Sequence, residues 1–273
     1  MMIQTMTKEI DELKKDFLDK FQVLYGAAPE DFKERVYSQS AQKLLELKKK
    51  GIPAPVFDCA ACKDSKRIRL TNDKNDKLFG QTFWCPECTD ENDLVQATGV
   101  DNAYKHWTLE QLDFDAAFMR DCVTDLFDNK SIMLFGKVGR GKTHMAVGLV
   151  REWIRREKRK PAKFIYFPQF LDDMREMFGD SQQAQQAQQY ENRLAKFDLL
   201  IIDDLGAERT SDWVVERVNV LLDRRMREGR QTIATTNLMD LGEVSQRYGA
   251  RAASRLGGYR WHECSGIDHR LSS

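Results

Sequence analysis

The chain has 273 residues, and its 43 lysines and arginines are balanced by 43 aspartates and glutamates, so the formal net charge is zero. A neutral chain has no overall positive field, which excludes strong binding of nucleic acid or anionic membranes by bulk charge and leaves only local contacts. Hydrophobic residues make up 41% of the sequence, a globular composition, and the length suits one large domain with a smaller one.

The sequence predicts a cytoplasmic protein without a membrane partner. No apolar run approaches the ~18 residues that a transmembrane helix needs. The first residues, Met1 to Thr5, lack the basic and apolar regions of a secretory signal. In a reducing compartment, cysteines at short regular spacing indicate a metal site before they indicate disulfides.

The N-terminal segment, residues 1–51, has a helical pattern. Apolar residues recur at helical spacing between about 5 and 25, and a second amphipathic stretch starts near Pro29 and stops before Gly51 and Pro53. We expect these two helices either to pack on each other and on the following module, or to present a surface to a partner protein.

Two Cys-x-x-Cys pairs follow, in residues 52–99. They consist of Cys59, Cys62, Cys85 and Cys88. Each pair sets two thiolates for tetrahedral metal binding, and the stretch between the pairs has the length of a zinc-ribbon hairpin. A redox role is the competing hypothesis, but it typically uses a single pair in a thioredoxin-like context. The spacing therefore predicts a structural zinc module.

From residue 100 the pattern changes to alternating strands and helices. Short apolar runs predict buried strands over 131–135, 163–167, 198–203 and 231–236, and helical patterns separate them over 142–158, 168–178 and 212–228. This alternation predicts an α/β domain over 100–273, with a parallel sheet covered by helices on both faces. The Gln/Ala run over 182–189 is interpreted as a surface helix extension or a loop.

The strongest motif is GxxxxGK[ST], placed between a predicted strand and a predicted helix. It consists of Gly136, Lys137, Val138, Gly139, Arg140, Gly141, Lys142 and Thr143. Such a loop aims backbone N–H groups at phosphate oxygens, and the helix N-terminus adds its dipole. Lys142 is placed to reach the β and γ phosphates, and Thr143 to bind Mg²⁺. The motif predicts a nucleoside triphosphate site.

Polar residues follow two other predicted strands. Asp203 and Asp204 end an apolar run sixty residues after the P-loop, where the first carboxylate is expected to hold Mg²⁺ and the second to polarise a water. Asn237 ends the next strand and is expected to orient that water. Near the C-terminus, Arg255 and Arg270 carry guanidinium groups of the kind that stabilises charge on a transferring phosphoryl group.

Together these motifs resemble an AAA+ ATPase of the DnaC/DnaI helicase-loader and IstB transposition-helper branch, over about residues 100–273. The resemblance rests on the P-loop followed by His144, the run 198–206 (DLLIIDDLG), the run 234–238 (ATTNL), and the box ending Ser254-Arg255-Leu256. It implies these roles: Lys142 and Thr143 as Walker A, Asp203 and Asp204 as Walker B, Asn237 as sensor 1, Arg255 as a trans-acting arginine finger, with Arg251 beside it, and Arg270 as sensor 2. Most AAA+ proteins have Asp-Glu rather than Asp-Asp at the Walker B end, so slow hydrolysis is expected, stimulated by assembly, DNA or a partner.

The zinc module resembles the N-terminal region of DnaI-type loaders. The combined resemblance implies a self-associating ATPase that binds a replicative DNA helicase through residues 1–95 and places it on single-stranded DNA, with ATP, Mg²⁺ and Zn²⁺ as cofactors. Two alternatives stay open. One is an IstB-like transposition helper that binds duplex DNA and recruits a transposase, and the other is a non-hydrolysing zinc adaptor that binds ATP.

Overall fold

The computed structural model of the protein describes residues 59, 62, 65–68, 82–85, 87–157, 161–179 and 183–265. The chain divides into two compact units, a first unit of residues 1–90 and a second unit of residues 91–273. The helices predicted between residues 5 and 50 lie outside the described residues, and so does Arg270. Within the described part of the chain, no helix is long and apolar enough to cross a membrane.

In the first unit, two short antiparallel strands lie between the two cysteine pairs. Strand β1 (Arg67–Ile68) pairs with β2 (Phe83–Trp84), with Arg67 opposite Trp84. The Arg67 guanidinium lies 3.5 Å from the centre of the Trp84 ring, a cation–π contact. The backbone N–H of Cys85 donates to the carbonyl of Lys66 at 2.9 Å, which extends the pairing to the second cysteine pair.

The second unit begins at Glu91, earlier than the boundary near residue 100 that the sequence suggested. Its first helix, α1 (Glu91–Ala97), contributes Val95 to the core, and Val100 follows in the same cluster. Both side chains pack with residues of the α/β domain, so this segment belongs to that domain and not to the zinc module.

The sheet of the second unit has five parallel strands in the order β4-β5-β6-β3-β7. They are β3 (Ile132–Phe135), β4 (Ala162–Tyr166), β5 (Leu199–Leu205), β6 (Gln231–Thr236) and β7 (Arg260–Glu263). The first four follow the apolar runs, because a parallel strand covered on both faces is buried along its length. The edge strand β7 was not predicted, since Arg-Trp-His-Glu has no apolar run.

Helices cover both faces of the sheet, which confirms the predicted α/β class. They are α1, α2 (Ala116–Phe127), α3 (Lys142–Arg156), α4 (Phe167–Gly179), α5 (Ala184–Lys196), α6 (Asp212–Arg227), α7 (Leu241–Tyr248) and α8 (Ala250–Leu256), with a short 3₁₀ turn at Leu109–Gln111. Residues of α1, α2 and α3 form one apolar core with strand side chains such as Ile132 and Leu134, and those of α4 to α8 form the other with Met133 and Leu200.

Helix α5 departs from the sequence-based expectation of a surface extension or loop. It buries Ala187 and Leu194 against the core, and it also buries Glu191. The Glu191 carboxylate accepts from Arg217 at 3.3 Å and from Arg224 at 3.0 Å, both on α6. These two partners compensate the burial of the carboxylate. The run of glutamines concealed this pattern because the buried positions in and next to it are a small residue, Ala187, and a charged one, Glu191.

Arg225 on α6 is fully buried and joins three elements. Its guanidinium donates to the carbonyls of Leu194 at 2.9 Å, Phe197 at 3.0 Å and Gln231, and to the hydroxyl of Thr232 at 2.9 Å. Burial lowers the pKa of Arg225 to about 10, so the group stays charged at neutral pH. One of these carbonyls, that of Leu194, lies in the last turn of α5, where carbonyl groups have no donor within the helix. Arg225 therefore fixes the end of α5 to the start of β6.

Replacing Arg225 with Met is expected to lower the free energy of unfolding by about 3 kcal/mol, because several buried carbonyls lose their donor. Urea denaturation followed by circular dichroism measures this. The matched control is Arg227→Met, an exposed arginine on the same helix, for which a change of less than about 0.5 kcal/mol is expected. Equal effects of the two substitutions would contradict the assigned role.

Candidate functional site

The P-loop joins the end of β3 to the start of α3 and turns through glycines with positive φ. Gly136 has φ 137° and Gly141, the N-cap residue of α3, has φ 73°. A Cβ atom on Gly136 would lie 2.8 Å from the carbonyl oxygen of Cys264, so a larger residue would also collide with the chain after β7. Both positions require glycine for conformation, and Gly136 requires it for space as well. The loop thus places successive backbone N–H groups and the N-terminus of α3 around one position, an arrangement that suits an anion.

Lys142 is buried at the start of α3, and it links the P-loop to the end of β6. Its ammonium group donates to the carbonyls of Gly136 and Lys137, each at 2.8 Å, and to the Oδ1 atom of Asn237 at 2.8 Å. Lys142 and Asn237 are 95 residues apart in the sequence. The fold therefore brings the expected Walker A lysine and the expected sensor 1 side chain into direct contact.

Asp203 lies beside Thr143, the other residue predicted to bind Mg²⁺. The Thr143 hydroxyl donates to the two carboxylate oxygens at 3.0 and 3.2 Å, and the Thr235 hydroxyl donates to Oδ1 at 2.7 Å. Burial raises the pKa of Asp203 to about 6, against the lowering effect of these hydrogen bonds. A carboxylate and a hydroxyl side by side are hard oxygen donors of the type that binds Mg²⁺.

Asp204 has a left-handed backbone conformation, with φ 59°. The pairing of β5 with β6 shifts register between Ile202 and Leu205, and the Asp204 N–H donates to the Thr235 hydroxyl at 2.9 Å. In a regular strand two consecutive side chains point to opposite faces. The shift instead lets Asp203 contact Thr143 while Asp204 lines the adjoining cavity.

A cavity of about 470 Å³ lies over the P-loop. It is lined by Val138, Gly139, Arg140, Gly141, Lys142, Thr143, His144, Asp204, Asn237, Tyr104 and Trp107. This volume is in the range of small-molecule sites. The predicted P-loop, second aspartate and asparagine thus converge on one nucleotide-sized cavity. Tyr104 and Trp107 were not predicted, since they precede the first strand of the sheet by more than twenty residues.

Arg255 does not line this cavity. Its guanidinium donates to Asp223 on α6 and to the carbonyl of Arg251 at 3.1 Å, and the side chain is only 12% exposed. Arg251, one turn earlier on α8, is 67% exposed. Arg227 also pairs with Asp223, at 2.6 Å. The arginine expected to act on phosphate is therefore held by a carboxylate of its own chain.

The four cysteines of the first unit form one cluster. Their sulfur atoms all lie within 4.8 Å of one another, with 3.7 Å between Cys59 and Cys85 and 3.3 Å between Cys62 and Cys88. Four convergent sulfur atoms from two Cys-x-x-Cys knuckles are the donor set of structural zinc sites. The other two cysteines, Cys122 and Cys264, are buried in the core of the second unit.

Two curated relatives match this sequence over part of its length. Over 170 residues the chain is 28% identical to the replicative helicase loader DnaC of Escherichia coli strain K12, a match that covers 62% of each protein. Over 109 residues it is 30% identical to the replicative helicase loader DnaI of Bacillus subtilis strain 168, covering 40% of this chain and 33% of that one. The matched region thus spans less than two thirds of either relative.

Solved structures show the same fold at low sequence identity. A putative primosome component from Streptococcus pyogenes serotype M3 has a TM-score of 0.50 and 20% identity, over 63% of this chain and 92% of that one. Domain III of the replication initiation protein DnaA from Thermotoga maritima has a TM-score of 0.52 and 17% identity, over 59% and 68%.

One family model, described as IstB-like ATP binding protein, matches residues 93–256. This match exceeds half of the chain and includes the P-loop, Asp203, Asn237 and Arg255. It agrees with the relatives in confirming the resemblance to the DnaC/DnaI and IstB branch of AAA+ ATPases. The chain therefore belongs to the family of IstB-like ATP binding proteins.

Proposed function

We propose that this protein is an ATP-dependent loader of a replicative DNA helicase, which it binds through residues 1–95 and places on single-stranded DNA. The observation that carries the proposal is that Lys142, Thr143 and Asn237 line one cavity, with Lys142 bonded to Asn237 and Thr143 bonded to Asp203. The relatives DnaC and DnaI are named replicative helicase loaders. In this proposal ATP acts as the switch, since the cavity extends from the P-loop to Asn237 at the end of β6.

The contacts of Lys142 and Thr143 suit them to bind the triphosphate of ATP. The Lys142 ammonium lies among carbonyl and amide oxygens that β and γ phosphate oxygens replace as acceptors. Thr143 and Asp203 would hold Mg²⁺, which neutralises phosphate charge when bound. Burial raises the pKa of Asp203 because low-dielectric surroundings disfavour the charged carboxylate, and a neighbouring cation would offset that cost.

Asp204 and Asn237 are suited to orient an attacking water, since both side chains line the cavity beside the phosphate loop. The aspartate side chain is one methylene shorter than the usual glutamate. The left-handed backbone conformation of Asp204 sets the direction in which its side chain leaves the main chain. Aspartate tolerates this conformation better than most residues. We expect slow hydrolysis that increases on assembly.

Arg255 is proposed to act on the nucleotide of a neighbouring copy. A guanidinium that does not line the cavity of its own chain and lies on α8 suits a role across a subunit boundary. To reach a neighbour, it must exchange Asp223 for phosphate oxygens. The sensor 2 role of Arg270 rests on the family resemblance alone.

The first unit is proposed to be a zinc-stabilised docking region for the helicase. Four sulfur atoms in a tetrahedral-type donor set fit Zn²⁺, and the metal would hold the two knuckles together around the short β1–β2 pair. The alternative function is an IstB-like transposition helper on duplex DNA, and it is favoured by the description of the matching family model.

Lys142→Ala is expected to weaken ATP binding by about a hundredfold or more, because the triphosphate loses its buried cation. Isothermal titration calorimetry with Mg²⁺ measures this. Lys130→Ala, an exposed lysine close in sequence, is the matched control and should bind ATP normally. Unchanged ATP affinity in the Lys142 variant would contradict the assignment of this loop as the triphosphate-binding site.

The same two variants test loading. With a hexameric replicative helicase and circular single-stranded DNA, the wild type and Lys130→Ala should increase the helicase retained on DNA when ATP is present, and Lys142→Ala should not. Retention only on duplex DNA, or ATP-dependent filaments there without the helicase, would favour the transposition helper. ATP binding without turnover under every condition would favour the non-hydrolysing adaptor.

Arg255→Ala is expected to leave ATP affinity within about threefold but to lower assembly-stimulated hydrolysis by about a thousandfold, the loss typical of an arginine finger. Mixing it with Asp203→Ala should partly restore turnover, since the second variant supplies Arg255 to the intact site of the first. No rescue would indicate action within one chain. If Asp223→Asn lowers hydrolysis as much as Arg255→Ala does, the role of Arg255 is to position Asp223 and not to contact the phosphate of the neighbour.

Metal analysis after dialysis is expected to give one zinc per chain, and Cys85→Ser should lower this value. Removing the metal with a chelator should unfold the first unit, because metal binding supplies folding free energy to small modules. ATP affinity should persist, since all residues that line the cavity belong to the second unit. A fully folded, metal-free wild-type protein would contradict the zinc assignment.

A further inference from the structure

We infer that Glu208 is a positioning residue that couples the nucleotide site of one chain to the Arg255 that the same chain offers to its neighbour. The inference rests on the proposed function, in which the P-loop binds ATP and Arg255 acts across a subunit boundary. It adds the connection inside one chain between these two places.

The Glu208 carboxylate joins the loop after β5 to helix α7. The side chain is only 5% exposed. Its Oε2 atom accepts from the backbone N–H of Gly206 at 3.0 Å, and its Oε1 atom accepts from the Tyr248 hydroxyl and, at 3.4 Å, from Arg247 Nε. Arg247 also donates to the backbone carbonyl of Glu208. One carboxylate oxygen is thus bonded to the loop and the other to the end of α7.

The loop side of this link belongs to the nucleotide site. Asp204 lines the cavity, and its carbonyl accepts from the N–H of Ala207 at 3.1 Å, which closes a tight turn around Gly206. Gly206 has φ 101°, and a Cβ atom there would lie 3.2 Å from Cγ of Leu238, so the turn packs against the segment that follows β6. Because there is so little free space, a movement of Asp204 displaces the Gly206 N–H that bonds to Glu208.

The helix side of the link leads to Arg255. Tyr248 is the last residue of α7 and is 1% exposed, and its carbonyl accepts from Asn219 Nδ2 on α6 at 3.2 Å. Gly249, with φ 85°, separates α7 from α8, and a Cβ atom there would meet no described residue beyond its chain neighbours within 4 Å. Helix α8 then carries Arg255. Glu208 therefore holds α7 directly before Gly249, where a backbone rotation moves the arginine-bearing helix.

The contact between α8 and α6 leaves two polar atoms unsatisfied. Arg255 donates to Asp223 through Nη2. Its Nε atom and the Oδ1 atom of Asn219 are buried and have no hydrogen-bond partner among the residues that the structure describes. An unpaired buried polar atom destabilises the arrangement that contains it. A small displacement of α8 on α6 therefore costs less than the burial of Arg255 suggests.

These contacts make the pair of helices α7 and α8 an element that two sites bias. One end is bonded through Glu208 to the loop that carries Asp204, and the other end carries the guanidinium that a neighbour's phosphate attracts. Coupling between distant sites requires such a shared element. In the proposed assembly, a triphosphate bound in the cavity of a chain favours the position of α8 in which Arg255 leaves Asp223.

The test mixes full-length chains so that one kind of chain supplies Arg255 and the other receives it. A small amount of wild type, the donor, is added to a large excess of Arg255→Ala with ATP and Mg²⁺, and hydrolysis is measured. The nucleotide sites of Arg255→Ala are intact, so the turnover reports the Arg255 that the donor supplies. Replacing the wild-type donor with Tyr248→Phe, which removes only the hydroxyl, is expected to lower this turnover about tenfold. Glu208→Gln as donor should act in the same way, because an amide has one acceptor oxygen and the carboxylate uses two.

The matched experiment places the same substitution in the receiving chain. A chain with both Arg255→Ala and Tyr248→Phe should respond to wild-type donors as Arg255→Ala does, because a receiving chain does not use its own Arg255. Tyr259→Phe in the donor is the control, since the Tyr259 hydroxyl interacts with Thr232 near the start of β6, at the end of the strand opposite to the cavity. This donor should support full turnover. Calorimetry should give Tyr248→Phe the same ATP affinity as the wild type.

Equal losses in the donor and in the receiving chain would show that Tyr248 only stabilises the fold, and would overturn the coupling. Full turnover with the Tyr248→Phe and Glu208→Gln donors would overturn it as well. If wild-type donors fail to stimulate Arg255→Ala although ATP binds normally, Arg255 does not act in trans, and the inference fails together with that part of the proposed function.

Discussion

The geometry of the site depends on one buried ammonium group. Lys142 donates to two P-loop carbonyls and to Asn237, so it joins the end of β3 to the end of the neighbouring strand β6. The next residue, Thr143, reaches Asp203 at the end of β5. The carboxyl ends of three adjacent parallel strands are therefore held together by two consecutive residues of α3. Parallel strands make this possible, because all their carboxyl ends lie at one edge of the sheet.

Local patterns in the sequence predicted those parts of the fold whose cause is local. Buried parallel strands require apolar runs, and the P-loop requires glycines, so both were recognised directly. Contacts between distant segments left no such pattern. The register shift at Asp204 arises from pairing with β6, and the edge strand β7 has no apolar run. Tyr104 and Trp107 reach the cavity because Arg151 holds their segment on α3, which a reading along the chain does not reveal.

The balanced charge of the chain also has a structural explanation in the second unit. Several arginines there are committed to internal partners, as in the pairing of Arg151 with Glu91 and of Glu191 with both Arg217 and Arg224. Arg225 has carbonyls as partners instead of a carboxylate. These groups hold helices to one another or to the sheet. Internal ion pairs thus use part of the balanced charge of the second unit, and the zero net charge of the whole chain gives the weak overall field inferred from composition.

The Asp223 carboxylate is shared by Arg227, Arg251 and Arg255. In an assembly built as proposed, Arg255 leaves this cluster only when a stronger anion is offered, and a triphosphate carries more negative charge than one carboxylate. A neighbour with an empty site offers no phosphate for this exchange. At the subunit contact, Arg255 then binds either the Asp223 carboxylate of its own chain or the phosphate of the neighbour. In such an assembly, Asp223 would be the internal carboxylate with which the phosphate of the next subunit competes for Arg255.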